Sequence, residues 1–196
     1  MGPNAAQPGG SNPGPDSGKD ELVRLPSLPG ISVRAGAGCS HADGPERQLE
    51  TLNVVHNRFS GCISQLSRAS EVLVKSISSQ SVVDESDLLE AKFSLLLAED
   101  RLGFALNHLK NCEVFASTQR DIEGIESLIK SHRKGVESLR IPCANLLPEE
   151  FPQMSANILG EAHRIRFTAT RLASHRDKVK DAIEAKKLEQ YPRESA

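Results

Sequence analysis

The sequence predicts an all-α fold, an elongated helical bundle or coiled coil of about four helices behind a disordered N-terminal tail. Three observations carry this. Leu88, Ala91, Leu95, Ala98, Leu102, Ala105, Leu109 and Cys112 fall at alternating spacings of three and four, a helix-packing seam in which large and small apolar residues take turns. Three further segments repeat that period. Pro and Gly crowd residues 1 to 45 and thin out after them.

Residues 1 to 45, with stretches such as Gln7-Pro8-Gly9-Gly10, carry too few apolar side chains to offset the entropy of ordering, so a disordered tail is expected. Within it, Leu22, Val23, Leu25, Leu28, Ile31 and Val33 form an apolar island that Pro26 and Pro29 keep extended. This island reads equally as a docking segment and as a linker, either with incidental leucines or folded back on the bundle. The helical domain is expected over residues 46 to 190, with 191 to 196 as a C-terminal tail.

The first helix runs from about Glu46 to Ser78. Leu49, Leu52, His56, Phe59, Ile63, Leu66, Leu73 and Ile77 take its a and d positions, and His56 and Ser70 are polar interruptions of the kind that fix register or partner choice. Gly61, in mid-helix, costs about 1 kcal/mol relative to Ala. Ser78-Ser79-Gln80-Ser81 breaks the pattern, and Asp84 or Asp87 offers an N-cap for the second helix. That helix carries the Leu/Ala seam on to Ala116. It also holds a second row, Leu89, Phe93, Leu96 and Leu97, so its apolar face is too wide for a two-stranded coil and two other helices are expected to touch it.

A third stripe, Ile122, Ile125, Ile129, His132, Val136 and Leu139, is one residue out of phase with the second helix. A turn near Ser117-Thr118 accounts for the slip better than one overwound helix. Pro142, Pro148 and Pro152 then end the third helix, and Leu146, Leu147 and Phe151 are expected to fold back onto the bundle. The last helix, from about Gln153 to Gln190, uses Ile158, Ala162, Ile165, Ala169, Leu172, Val179 and Ile183, with Arg176 intruding at a core position. Segments of roughly 30 residues reach about 45 Å, and short joints favour antiparallel neighbours. Either a four-helix bundle or two hairpins completed by partner helices satisfies the pattern.

Composition and motifs narrow the function by exclusion. A net charge of −2 argues against a general nucleic-acid or membrane-surface protein. Trp is absent and Tyr191 is the one tyrosine, less aromatic surface than ligand pockets usually recruit. Cys39, Cys62, Cys112 and Cys143 lack a C-x-x-C pair and a preceding signal peptide, which predicts a reducing intracellular setting, the cytoplasm in preference to the nucleus. No apolar run approaches the length of about 20 that spans a bilayer.

His108 and Cys112 stand one turn apart, as half a zinc site would, with Cys39 and His41 to supply the rest, but Cys39 lies in the expected tail and Cys112 in the seam, so no clustered site is expected. Glu85, Asp87, Glu90, Glu99 and Asp100 flank the apolar stripe and the helix start, as solvated acids do. No phosphate-cradle, nucleophile-elbow or H-E-x-x-H motif occurs, so no catalytic residue, cofactor, metal or small-molecule substrate is assigned.

The last helix holds a basic patch, Arg164, Arg166, Arg171, Arg176, Lys178 and Lys180, alongside His163 and His175. It suits an anionic polymer or membrane surface, against which stands ordinary pairing with Asp177, Asp181 and Glu184. The expectation is therefore a non-enzymatic subunit or adaptor of an intracellular multiprotein complex. Its partners are other subunits with long helices, in a hetero-complex by preference, with a homo-oligomer as the other arrangement. The alternative is a self-contained bundle that binds an anionic surface through its last helix.

Overall fold

The computed structural model describes residues 44–77, 82–110, 112, 116–143 and 145–190. They form four helices, α1 (Pro45–Ser76), α2 (Glu85–Leu109), α3 (Ala116–Cys143) and α4 (Phe151–Gln190). The chief contacts are α1 with α2 and α4, and α3 with the same two. The helices thus stand at the corners of a square, α1 diagonal to α3 and α2 diagonal to α4. Cross-links fix their directions. Arg101 donates to the Gly61 carbonyl at 2.8 Å and Arg68 pairs with Glu90 at 2.7 Å, so α1 and α2 run antiparallel. Glu99 with Arg133, Lys92 with Glu137 and Glu85 with Arg140 do the same for α2 and α3.

The helix boundaries have local causes. Pro45 opens α1 at the first helical position, where a missing N–H costs nothing. Asp84, not Asp87, caps α2, its carboxylate accepting from the Ser86 N–H at 2.9 Å and hydroxyl at 2.7 Å. Those bonds hold the Asp84 pKa below its ordinary value. Asp87 lies in the first turn instead, buried and paired with Lys75 at 3.0 Å. The helix α2 ends at Leu109 rather than near Ala116, so the phase slip between the second and third stripes is a turn, placed before Ser117-Thr118. Pro142 sits in the last turn of α3, one residue from its end.

One contiguous core is drawn from all four helices. Leu88, Ala91, Leu95, Ala98, Leu102, Ala105 and Leu109 are all buried, so the seam of α2 is covered within the chain itself. Cys112 lies beyond the helix end and is half-buried, a correction to its expected place in the seam. On α1 the buried line is Leu52, Val55, Phe59, Cys62, Leu66, Ala69 and Leu73. Leu52, Phe59, Leu66 and Leu73 are where the pattern puts them, whereas Leu49, His56, Ile63 and Ile77 sit half-buried on the flank. The reason is that α1 packs between two helices at a corner, which draws its most buried line between two rows rather than along one coiled-coil seam. Ser70 is buried, and its hydroxyl ties α1 to α4 by donating to the Ala162 carbonyl at 3.1 Å.

On α3, Ile122, Ile125, Ile129, His132 and Val136 are buried as expected, and on α4 so are Ile158, Ala162, Ile165, Ala169, Leu172, Val179 and Ile183. His175, not Arg176, takes the core position between Leu172 and Val179. A spacing of three before one of four places it there, and Arg176 turns to Asp177 on the flank. Leu146 and Phe151 pack on the core, but Leu147 is exposed. The expected N-terminal tail up to residue 43, with its apolar island, Cys39 and His41, and the C-terminal residues 191–196 lie outside the described residues.

Candidate functional site

The outer face of α2 departs most from an ordinary bundle surface. At about 100° per residue, Leu89, Phe93 and Leu96 do not widen the Leu/Ala seam but fall on the side opposite to it. They are 43%, 59% and 46% exposed. The expectation that two other helices touch α2 holds, since α1 and α3 both pack on it, but of the second row only Leu97 is half-buried and the other three members face away from them. Farther along the same side Phe104 is 42% exposed, with the Arg58 guanidinium stacked 4.2 Å from its ring centre and His108 at 4.7 Å. The helix is apolar on two faces, one inside the core and one outside it.

Between α2 and α3 the row opens into a shallow groove of about 400 Å³ lined by Leu96, Glu99, Asp100, Gly103, Phe104, Asn107 and Glu126. Among the described residues three carboxylates and no cation line it. Arg133 engages Glu99 at 3.0 Å and Lys130 engages Glu126 at 3.0 Å, each from the flank. Asp100 is exposed and forms no ion pair among the described residues.

The basic patch on α4 is brought together in part. Arg164 is held by Glu161, Arg176 by Asp177 at 2.7 Å and Lys180 by Glu184 at 3.9 Å. Arg166, Arg171 and Lys178 point outward without an ion-pair partner among the described residues. Beside them Phe167 is 65% exposed, a member of this surface that the apolar periodicity gave no reason to single out.

Under that patch, α3 and α4 are clamped by a buried polar cluster. His132 Nδ1 lies 2.6 Å from Glu161 Oε1 and its Nε2 lies 2.9 Å from Thr168 Oγ1. The Thr168 hydroxyl donates its proton to the Arg164 carbonyl at 3.1 Å, so toward His132 it accepts. The imidazole thus bridges Glu161 and Thr168 across the joint between α3 and α4. Burial works to raise the Glu161 pKa, but the hydrogen bonds from His132 and Arg164 together outweigh it and hold the carboxyl below its ordinary value. All three side chains are buried, and the cluster joins α3 to α4. Two turns beyond Thr168, His175 is buried with Nδ1 unpartnered, and burial together with Lys178 and Arg171 lowers its pKa against an opposing pull from Asp121.

Burial raises the pKa of each described thiol. Burial pushes Cys62 up to about 12, despite Arg101 nearby, and its Sγ donates to the Ala98 carbonyl at 3.3 Å. Cys112 and Cys143 are also raised by burial. Among the described residues no group of three His, Cys, Asp or Glu is placed to hold a metal, and no helix is long and apolar enough to cross a membrane. In comparisons with known proteins, no family model, no curated sequence and no solved structure matches this chain.

Proposed function

We propose that the chain is a non-enzymatic helical-bundle subunit or adaptor that works through protein–protein contact in an intracellular complex, in the cytoplasm rather than the nucleus. The outward row of α2 carries this reading. A helix that has already buried a complete seam needs no second apolar row for its fold, and clustered large apolar side chains on a surface mark interaction sites. The i, i+4, i+7 spacing of Leu89, Phe93 and Leu96 is the one by which helices dock on one another. The partner is accordingly another protein that offers a long helix, in a hetero-complex. The free thiols of Cys62, Cys112 and Cys143 accord with a reducing compartment.

The test is position-specific cross-linking in cells with the full-length chain. A photoreactive residue at Phe93 is expected to give a discrete adduct that purifies in fixed ratio, is lost with Leu96→Glu, and is absent when the probe stands at exposed Lys134 on α3. The same adducts from both positions, or none from Phe93, would end the reading.

A second reading is favoured by Arg166, Arg171 and Lys178 around exposed Phe167, a surface that suits an anionic polymer or lipid surface. Joint reversal of the three to Glu is then expected to abolish salt-sensitive retention on anionic vesicles or polymers. Unchanged retention, or none in the parent chain, would dismiss it.

A further inference from the structure

We infer that the outward row of α2 receives an amphipathic helix of another protein that carries Lys or Arg beside its apolar ridge. The inference rests on the interaction reading above and gives its partner a chemistry.

Leu89, Phe93 and Leu96 form one ridge, exposed along about two turns of α2. A ridge of this kind is complemented by the groove between two rows of a second helix. At its Leu96 end the ridge leads into the groove between α2 and α3, where Glu99, Asp100 and Glu126 supply the charges of the lining among the described residues. The cations that meet Glu99 and Glu126 approach from the α3 flank, and among the described residues Asp100 has none. A helix lying on the ridge therefore sets its flanking side chains against an acidic edge. Lys or Arg there gains a charge-assisted bond to Asp100, and Glu or Asp meets like charge as its solvation is stripped away. The opposite face of the bundle is basic, but it offers Phe167 followed by Thr170, Arg171 and Ser174 rather than an apolar ridge. A second copy of this chain thus matches the charge and not the ridge, which makes the occupant a different protein.

The test uses a displayed library of amphipathic helices about five turns long, with an invariant apolar ridge and flanks randomised among Lys, Arg, Glu, Asp, Gln and Ser. It is panned on the full-length chain, and selected helices are measured against Asp100→Lys, Leu96→Glu and Phe93→Glu variants whose melting confirms that they fold. Expected are helices enriched in Lys or Arg that lose affinity about tenfold or more on each variant, while the chain alone scatters light as a monomer. Helices that depend on Leu96 and Phe93 but show no basic preference overturn this inference and leave the interaction reading standing. Helices indifferent to Leu96 and Phe93, or no selected helix, overturn both. A dimer that Leu96→Glu dissolves assigns the ridge to a second copy and overturns the inference as well.

Discussion

Gly135 of α3 stands where a Cβ would lie 3.3 Å from the carboxylate of Glu161 on α4. That carboxylate cannot withdraw, because His132 holds one oxygen and Arg164 the other. In an exposed helix interior, Gly→Ala gains about 1 kcal/mol. Here the methyl group presses on the buried clamp, and Gly135→Ala is expected to lose about 1 kcal/mol net. Urea denaturation measures it. A more stable variant would mean that the clamp yields without cost.

The clamp and His175 make stability depend on pH in two separate windows. The folded pKa of His175 is depressed, so its contribution is complete above the ordinary imidazole value of about 6.5 and is lost as pH falls below it. The folded pKa of Glu161 is also depressed, so its contribution is present above the ordinary carboxylate range and is lost only as pH falls through the lower folded value. Denaturation midpoints are expected to drop in two steps on acidification. His175→Gln removes the earlier step and Glu161→Gln the later one. A profile that neither substitution alters would sink the assignment.

Ala98 lies fully buried where the Cys62 thiol of α1 reaches its carbonyl. A side chain on one helix touching the backbone of the next requires a close approach of the two axes, which the small residues Ala98 and Cys62 allow. Ala98→Leu must push α1 away and is expected to cost about 1 to 3 kcal/mol. Full stability in thermal melts would show that α1 and α2 have room to spare at that level.

Cys62 combines burial with a pKa near 12, so almost no thiolate exists at neutral pH. With labelling by a maleimide followed by peptide mass mapping, Cys62 is expected to react at the rate of global unfolding and to follow the denaturant curve. Half-buried Cys112 and Cys143 react earlier. Equal rates for all three would imply local opening of α1 against α2.

Much of the architecture was legible from period alone. The Leu/Ala seam of α2 from Leu88 to Leu109 and the apolar members of the buried line of α4 needed nothing more, because a long stripe admits one helical face, whereas period put Arg176 where His175 is buried and carried the seam past the helix end to Cys112. Leu49, His56, Ile63 and Ile77 were not legible as flank, since a period shows which residues share a face and not how many helices meet it. The same gap hid the meaning of Leu89, Phe93 and Leu96, whose exposure depends on where α1 and α3 stand. Gly61 read as a weak point in α1. In the fold the Arg101 guanidinium rests against it, donating to its carbonyl at 2.8 Å, and an added Cβ would come 2.5 Å from that guanidinium. No spacing within α1 announces a side chain arriving from α2.

The two apolar faces of α2 also create a problem of insertion. A helix of this kind can enter a forming bundle in either of two rotations, half a turn apart, and hydrophobic burial alone separates them poorly. Polar side chains make the choice. In the wrong rotation Asp100 and Asn107, which interrupt the outer face, would be driven inside without partners, and the link from Asp87 to Lys75 would be broken. These residues therefore guard against a misassembled isomer of the bundle. Substituting Asp100 and Asn107 by leucine would strip that protection while leaving every native core contact in place.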